Sequence, residues 1–434
     1  MKTTNTKNRK TNTWKRGLQA LALTAALGMG SGLSAQNYEW ANGIGGTSPN
    51  EGISTATDVA GNIYVTGHFR GTADFDPGAG MANLTSNGNR DMFLAKYDAT
   101  GAYQWAVSMG GGLNDIGNSV AVDGSGNALV TGQFLGTADF DPGAGVANLT
   151  SNGSADIFLA KYDATGAYQW AINMGGTSSD VGTAVTVDGS GNVLVNGYFR
   201  NTTDFDPGAG VANLTSNGNR DIFLAKYDAT GAYQWAINVG GTFSDVGNSV
   251  AVDGSGNALV TGSFDGMADF DPGAGVANLT STGISTEIFL AKYDATGAYQ
   301  WAISVGGTSI DVGYSVAVDG SGNALVTGSF SSIADFDPSA GVANLISNGG
   351  IDIFLAKYDA TGVYQWAINM GGTSSDKGYS VAVDGIGNAL VTGYFRNTAD
   401  FDHGDGVANL TSNSRDDIFL AKYDATGAYQ WAIN

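Results

Sequence analysis

"DIFLAKYDATGAYQWAIN" runs from Asp156 to Asn173, and nearly the same words recur six times along the 434-residue chain. Within it Ile157, Leu159 and Lys161 alternate with Phe158, Ala160 and Tyr162, a period of two that marks a β-strand. "ATG" follows Asp163, and a glycine there suits a tight turn with positive φ, so "AYQWAIN" reads as a second, antiparallel strand. Upstream, "NSVAVD" and "NALVTGQF" flank "GSG" in the same manner from Asn118 to Phe134. Each unit is therefore a meander of four antiparallel strands.

Trp40, Trp105, Trp170, Trp235, Trp301, Trp366 and Trp431 stand 65, 65, 65, 66, 65 and 65 residues apart, the spacing of an array. Neither face of the Ile157–Tyr162 strand is polar enough to stand in water alone. Stacking such sheets around an axis buries both faces and leaves only short edges. The expected fold is all-β, a β-propeller of six blades with four strands each and about 65 residues per repeat. "NYEWANG", from Asn37 to Gly43, supplies a seventh Trp strand ahead of the first complete unit. The propeller is placed at residues 36–434, with this extra strand available to close the ring against the last blade. The seven tryptophans are assigned a structural role as wedges between blades.

The first 35 residues read as a signal peptide. "MKTTNTKNRKTNTWKR" is basic, "GLQALALTAALGMG" is apolar but too short to span a membrane, and cleavage is placed near Ala35. Six of the 19 basic residues and none of the 40 acidic ones lie in that leader. The remaining chain is strongly acidic, which argues against nucleic acid and anionic lipid as partners. There is no cysteine, so disulfides and thiolate metal sites are excluded. A soluble, monomeric, exported protein without membrane insertion is expected.

"WAINMGGTSSDVG", "VAVDGSGNALVTG" and "DIFLAKYDATG" together resemble the SBBP-type β-propeller repeats of secreted bacterial proteins, over nearly all of residues 36–434. The resemblance implies a propeller at the surface of, or outside, a gram-negative cell, and implies no reaction. "YDATGAYQW" is also loosely similar to the Trp-docking motif of quinoprotein dehydrogenase propellers, A-x-D-x-x-T-G-x-x-x-W. Here the interval between Asp163 and Thr165 is one residue short, and no cysteine pair accompanies it. A propeller enzyme, either such a dehydrogenase or a polysaccharide-degrading one, remains an alternative, as does a propeller that forms part of a larger surface protein.

"DFDPGAG" sits between the second and third strands of every unit, with small changes. In an extended "DFD", Phe140 points opposite to Asp139 and Asp141, so the ring anchors the loop while the acids cap the Pro-Gly turn. The competing reading is calcium, with ligands Asp74 and Asp76, Asp139 and Asp141, Asp204 and Asp206, Asp269 and Asp271, Asp335 and Asp337, and Asp400 and Asp402. An EF-hand's distant bidentate Glu is missing, so backbone oxygens would have to complete such a shell. Calcium is thus compatible with the sequence, and no cofactor is required. Six nearly identical acid pairs argue against a catalytic acid and base, which need different surroundings. The last copy, "DFDHGDG", gains His403 and Asp405 and is the one candidate for a private metal site.

"FLAKYDATG" is identical in all six units, which directs attention to the positions that vary. One reads His68, Gln133, Tyr198, Ser263, Ser329 and Tyr394; another, at the start of the first strand, reads Ile53, Asn118, Thr183, Asn248, Tyr314 and Tyr379. Both fall at one end of the same hairpin. A third, two residues past the former, includes Arg70, Arg200 and Arg396. These side chains are expected to form a variable rim on a constant frame, and to bind a polar extracellular ligand such as a glycan or a protein segment. Neutral drift at exposed positions would give the same pattern. No residue is assigned a catalytic role.

Overall fold

Six four-stranded meanders follow one another in the computed structural model, which describes residues 39–282, 285–404 and 406–434. The leader at residues 1–35 and Asp405 lie outside the described residues. In blade 2 the strands are Ile116–Val122, Ala128–Phe134, Asp156–Tyr162 and Tyr168–Gly176, paired antiparallel in chain order. The first strands of the other blades are Asn50–Thr57, Val181–Val187, Val246–Val252, Val312–Val318 and Lys377–Val383. The chain is an all-β propeller of six blades, as its alternation and period predict.

The "DFDPGAG" segment is more than a connection. Thr137–Asp139 and Asn148–Thr150 form a small hairpin that adds onto the preceding blade, where Ala138 and Asp139 pair with Gly111 and Gly110. Blades 1 to 5 thereby become six-stranded sheets, while blade 6 keeps four strands. Three-residue strands are too short to show alternation, so only the connection was visible in the sequence. The Gly-Gly at the end of each fourth strand follows from this pairing, because a Cβ on Gly111 would lie 2.0 Å from the Thr137 carbonyl oxygen.

Adjacent blades meet with two dissimilar faces. Leu129, Ile157, Leu159 and Met174 of blade 2 pack on Val195, Phe199, Phe205, Phe223, Ala225 and Tyr227 of blade 3, all essentially without solvent contact. Phe205, from the small hairpin, has its ring 5.5 Å from Phe199 and 4.9 Å from Phe223, and the Tyr227 hydroxyl donates to its carbonyl at 2.8 Å. Full burial of each such aromatic side chain contributes roughly 1.5–3 kcal/mol, which is why the phenylalanine of "DFD" recurs.

The identity of "FLAKYDATG" has a geometric cause in the same junction. The Trp170 indole lies over Gly231 in the next blade's "DATG" turn and donates its N–H to Ala229 O at 3.4 Å. Lys161 reaches that carbonyl too, at 3.4 Å, while its ammonium is 3.0 Å from Asp123 in its own blade. The turn is thus a knob gripped by the preceding blade. Residues 39–46 reproduce this grip at the start of the array: Trp40 lies over Gly101, and Gly45 and Gly46 pair with Asp74 and Ala73. The strand pairs among the described residues join this segment to the small hairpin Thr72–Asp74 and Asn83–Thr85 in a separate three-stranded sheet, and none of them joins it to the last blade.

Among the described residues no blade stacks on the outer face of blade 6. Ile418 is 51% exposed, whereas Ile157, Ile288 and Ile353 at the same position are fully buried. First strands pack side by side from blade 1 through blade 6, but among the described residues no contact of that extent returns from blade 6 to blade 1.

Candidate functional site

A β-bulge builds the variable rim. In every blade the register of the first hairpin shifts between a glycine and the residue two beyond it, such as Gly117 and Ser119, so Asn118 is the extra residue. Ile53, Thr183, Asn248, Tyr314 and Tyr379 occupy the same bulge. A bulge re-aims its side chain without disturbing the ladder on either side, so this position can vary while the sheet stays constant.

Blades 2 to 4 use the bulge as a seam. Asn118 Nδ2 donates to Gly182 O at 2.9 Å, Thr183 Oγ1 to Gly247 O at 2.7 Å, and Asn248 Nδ2 to Gly313 O at 2.8 Å. Each acceptor is the bulge glycine of the next blade. These residues hold neighbours together rather than facing solvent freely. At the second variable position His68, Ser263 and Ser329 are buried as well. Burial and the nearby Arg90 lower the His68 pKa to about 4, so it is neutral at ordinary pH beside Glu51, 3.6 Å away.

Blades 5 and 6 differ. Tyr314 and Tyr379 meet edge to face with centroids 5.2 Å apart, and Tyr394 joins Tyr379 at 5.7 Å. All three are half-buried. Lys377 donates to the Tyr314 hydroxyl at 3.2 Å and lies 5.6 Å from that ring's centroid. Arg396 lies 5.5 Å from the Tyr394 centroid and pairs with Asp416. Four of the variable residues thus form, with Lys377, one cluster of three aromatic rings and two cations in an otherwise acidic protein. Tyr198 has a smaller version, with the Arg220 guanidinium 4.6 Å from its centroid. Gln133 and Arg200 are partly exposed, and Arg70 is exposed.

Lys377 was missed in the sequence. Its signal was available, since that position reads Glu51, Ile116, Val181, Val246 and Val312 in the other units.

The acids of "DFD" face inward onto backbone donors. Asp139 Oδ1 accepts the N–H groups of Asp141 at 3.0 Å and Ala147 at 2.9 Å, and Asp141 Oδ1 accepts that of Gly143 at 2.8 Å. Phe140 is fully buried between them. The other five copies repeat this geometry, with Ser339 donating in place of a glycine in the fifth. His403 lies 6.3 Å from the Tyr423 ring. Among the described residues no group of three or more His, Cys, Asp or Glu side chains is placed to hold a metal ion.

No family model matches the chain. It is 27% identical, over 91% of its length, to an uncharacterised WD repeat-containing protein of Acanthamoeba polyphaga mimivirus, of which it covers 34%. It is 25% identical, over 87% of its length, to the regulatory protein FlaEY of Caulobacter vibrioides, of which it covers 39%. The chain therefore spans between a third and two fifths of these relatives. Similar solved structures include a Bacteroides caccae protein of unknown function, at 11% identity and TM-score 0.33, with coverage of 74% of this chain and 82% of that one. The WD40 domain of Neurospora crassa Pan2 is similar at 10% identity and TM-score 0.33, covering 79% and 86%. The mimivirus relative is a WD repeat-containing protein, and the β-propeller architecture of this chain rests on its own repeated four-stranded sheets.

Proposed function

We propose that the chain is a non-catalytic β-propeller of the SBBP type, exported to the surface or surroundings of a gram-negative cell, and that it binds a protein partner through the rim of blades 5 and 6. The observation that carries this reading is the Tyr314, Tyr379, Tyr394, Lys377 and Arg396 cluster. Aromatic rings and arginine supply the largest binding contributions per residue at interfaces, and here they gather at the positions the repeat leaves free. The WD-repeat relative supports a role in interaction. The basic leader and the short apolar stretch that follows it support export.

Repeat-derived substitutions test the rim without endangering the fold. Tyr314→Asn, Tyr379→Asn and Tyr394→Ser together install residues that blades 2, 4 and 5 already carry at those places. A displayed peptide library and a glycan array, each screened with the wild type and the triple variant, should yield peptide ligands that the variant loses at unchanged melting temperature. Peptides retained by the variant would refute the rim, and binding confined to glycans would replace the partner class.

A further inference from the structure

Each blade junction holds two buried acids that the rim does not use. An acid at the start of a third strand faces the acid that precedes the next blade's first strand: Asp91 with Asp115, Asp156 with Asp180, Asp221 with Asp245, Glu287 with Asp311, and Asp352 with Asp376. Glu287 is 3% exposed and the other nine are fully buried. A bare glycine of the fourth strand stands between the two carboxyls. A Cβ on Gly240 would lie 2.7 Å from Asp221 Cγ and 2.9 Å from Asp245 Oδ2, and one on Gly110 would lie 2.8 Å from both Asp91 Cγ and Asp115 Oδ2.

The hydrogen bonds within a pair are unequal. Asp180 Oδ2 accepts the Gly176 N–H at 2.9 Å and the Thr203 hydroxyl at 3.1 Å, and its Oδ1 accepts the Arg200 N–H at 2.9 Å. Asp156 Oδ2 accepts the Asn152 N–H at 2.9 Å, but Asp156 Oδ1 is buried without a partner. Asp91, Asp221 and Asp352 carry the same orphaned Oδ1. Among the described residues no lysine or arginine forms an ion pair with any of the ten acids. The charged groups that act from a distance are Arg200 on Asp180, Arg396 on Asp376 and Asp265 on Asp245, while the Asn173 and Asn238 amides face Asp156 and Asp221.

Two ionised carboxylates buried together without a cation are strongly unfavourable, and sharing one proton relieves them. A calcium ion would need about six to eight oxygens, whereas four of the five pairs offer one oxygen without a hydrogen-bond partner, and among the described residues none has a third acid. We propose that each junction retains one proton in its acid pair at neutral pH, so that the stacked blades are locked by protons and loosen as alkali removes them. At the Asp91, Asp156, Asp221 and Asp352 junctions the unpartnered oxygen of the third-strand acid leaves room for that proton, which the two carboxyls of the pair share.

Burial supports this electrostatically, pushing Asp156, Asp245 and Asp352 up to about 7 and Asp91, Asp115 and Asp311 up to about 6. An unfolded aspartate titrates at about 3.9. Between these values the folded chain binds more protons than the unfolded one, so stability falls as pH rises.

The test is the urea midpoint of the full chain from about pH 5 to about pH 8, together with the infrared carbonyl band of protonated carboxyl groups at neutral pH. The midpoint should rise on acidification through this range, and the band should be present in the folded protein. Changing Asp91, Asp156, Asp221 and Asp352 to Asn and Glu287 to Gln together should abolish both the band and the rise. A flat or opposite pH profile overturns the proposal, as does an absent band. A calcium-dependent, chelator-reversible rise at about pH 8 would assign the site to a metal instead of a proton.

Discussion

Gly231 and Gly191 form a matched pair that isolates what the Trp and "DATG" contact is worth. Both close Asp-x-x-Gly turns in blade 3, with φ of +85° and +83°. A Cβ on Gly191 would have Ala229 Cβ as its nearest neighbour at 3.7 Å, an ordinary contact. A Cβ on Gly231 would lie 3.1, 3.2 and 3.3 Å from three carbons of the Trp170 indole. Both alanine variants pay the left-handed backbone cost of roughly 1–2 kcal/mol. Only Gly231→Ala also displaces the ring, an overpacking cost of typically 1–3 kcal/mol. Urea denaturation should therefore show Gly191→Ala destabilised by about 1–2 kcal/mol and Gly231→Ala by about 2–5 kcal/mol, at similar m-values. In a Trp170→Ala background the excess should vanish, leaving only the backbone term. Equal losses for the two glycine variants in the wild-type background would refute the grip as the cause of the tryptophan's recurrence.

Lys226→Met should cost about 3 kcal/mol, because it leaves Asp188 uncompensated in a pair 2.9 Å apart whose side chains are only 8% and 7% exposed. The same change at Lys422, where both partners are 23% exposed on the open blade, should cost about 1 kcal/mol or less; equal losses would show that burial is not the deciding variable. Asp139→Ala should lose about 1–2 kcal/mol by stranding the Asp141 and Ala147 N–H groups, and Asp139→Asn should recover most of it. A chelator should leave the wild-type melt unchanged, and a fall that Asp139→Asn removes would instead place calcium in the "DFD" loops.

Most of the frame was legible because the repeat states it six times. Alternation in "DIFLAKYD" and glycines after "DA" and "DGS" give strands and turns without any tertiary information. The small hairpin was not legible, since Thr137–Asp139 and Asn148–Thr150 are held by pairing with a strand about thirty residues away rather than by local pattern. The rim was legible as variation but not as chemistry. Nothing in the sequence distinguishes Asn118, which seals a junction, from Tyr379, which joins an aromatic cluster, because the difference lies in what the next blade presents to the bulge.

The buried acids explain why variation is tolerated where it occurs. Asp115 Oδ1 accepts the backbone N–H of Leu135, and the equivalent acids accept those of Arg200, Asp265, Ser331 and Arg396. Four kinds of side chain therefore sit, across five blades, on one fixed backbone position. The acid secures the main chain, and the side chain is free to change without moving the blade. Arg396 could arise beside Tyr394 without moving the blade, since Asp376 holds its backbone N–H. A binding surface on such an array can be altered one blade at a time, provided the proton-bearing pair beneath it is left intact.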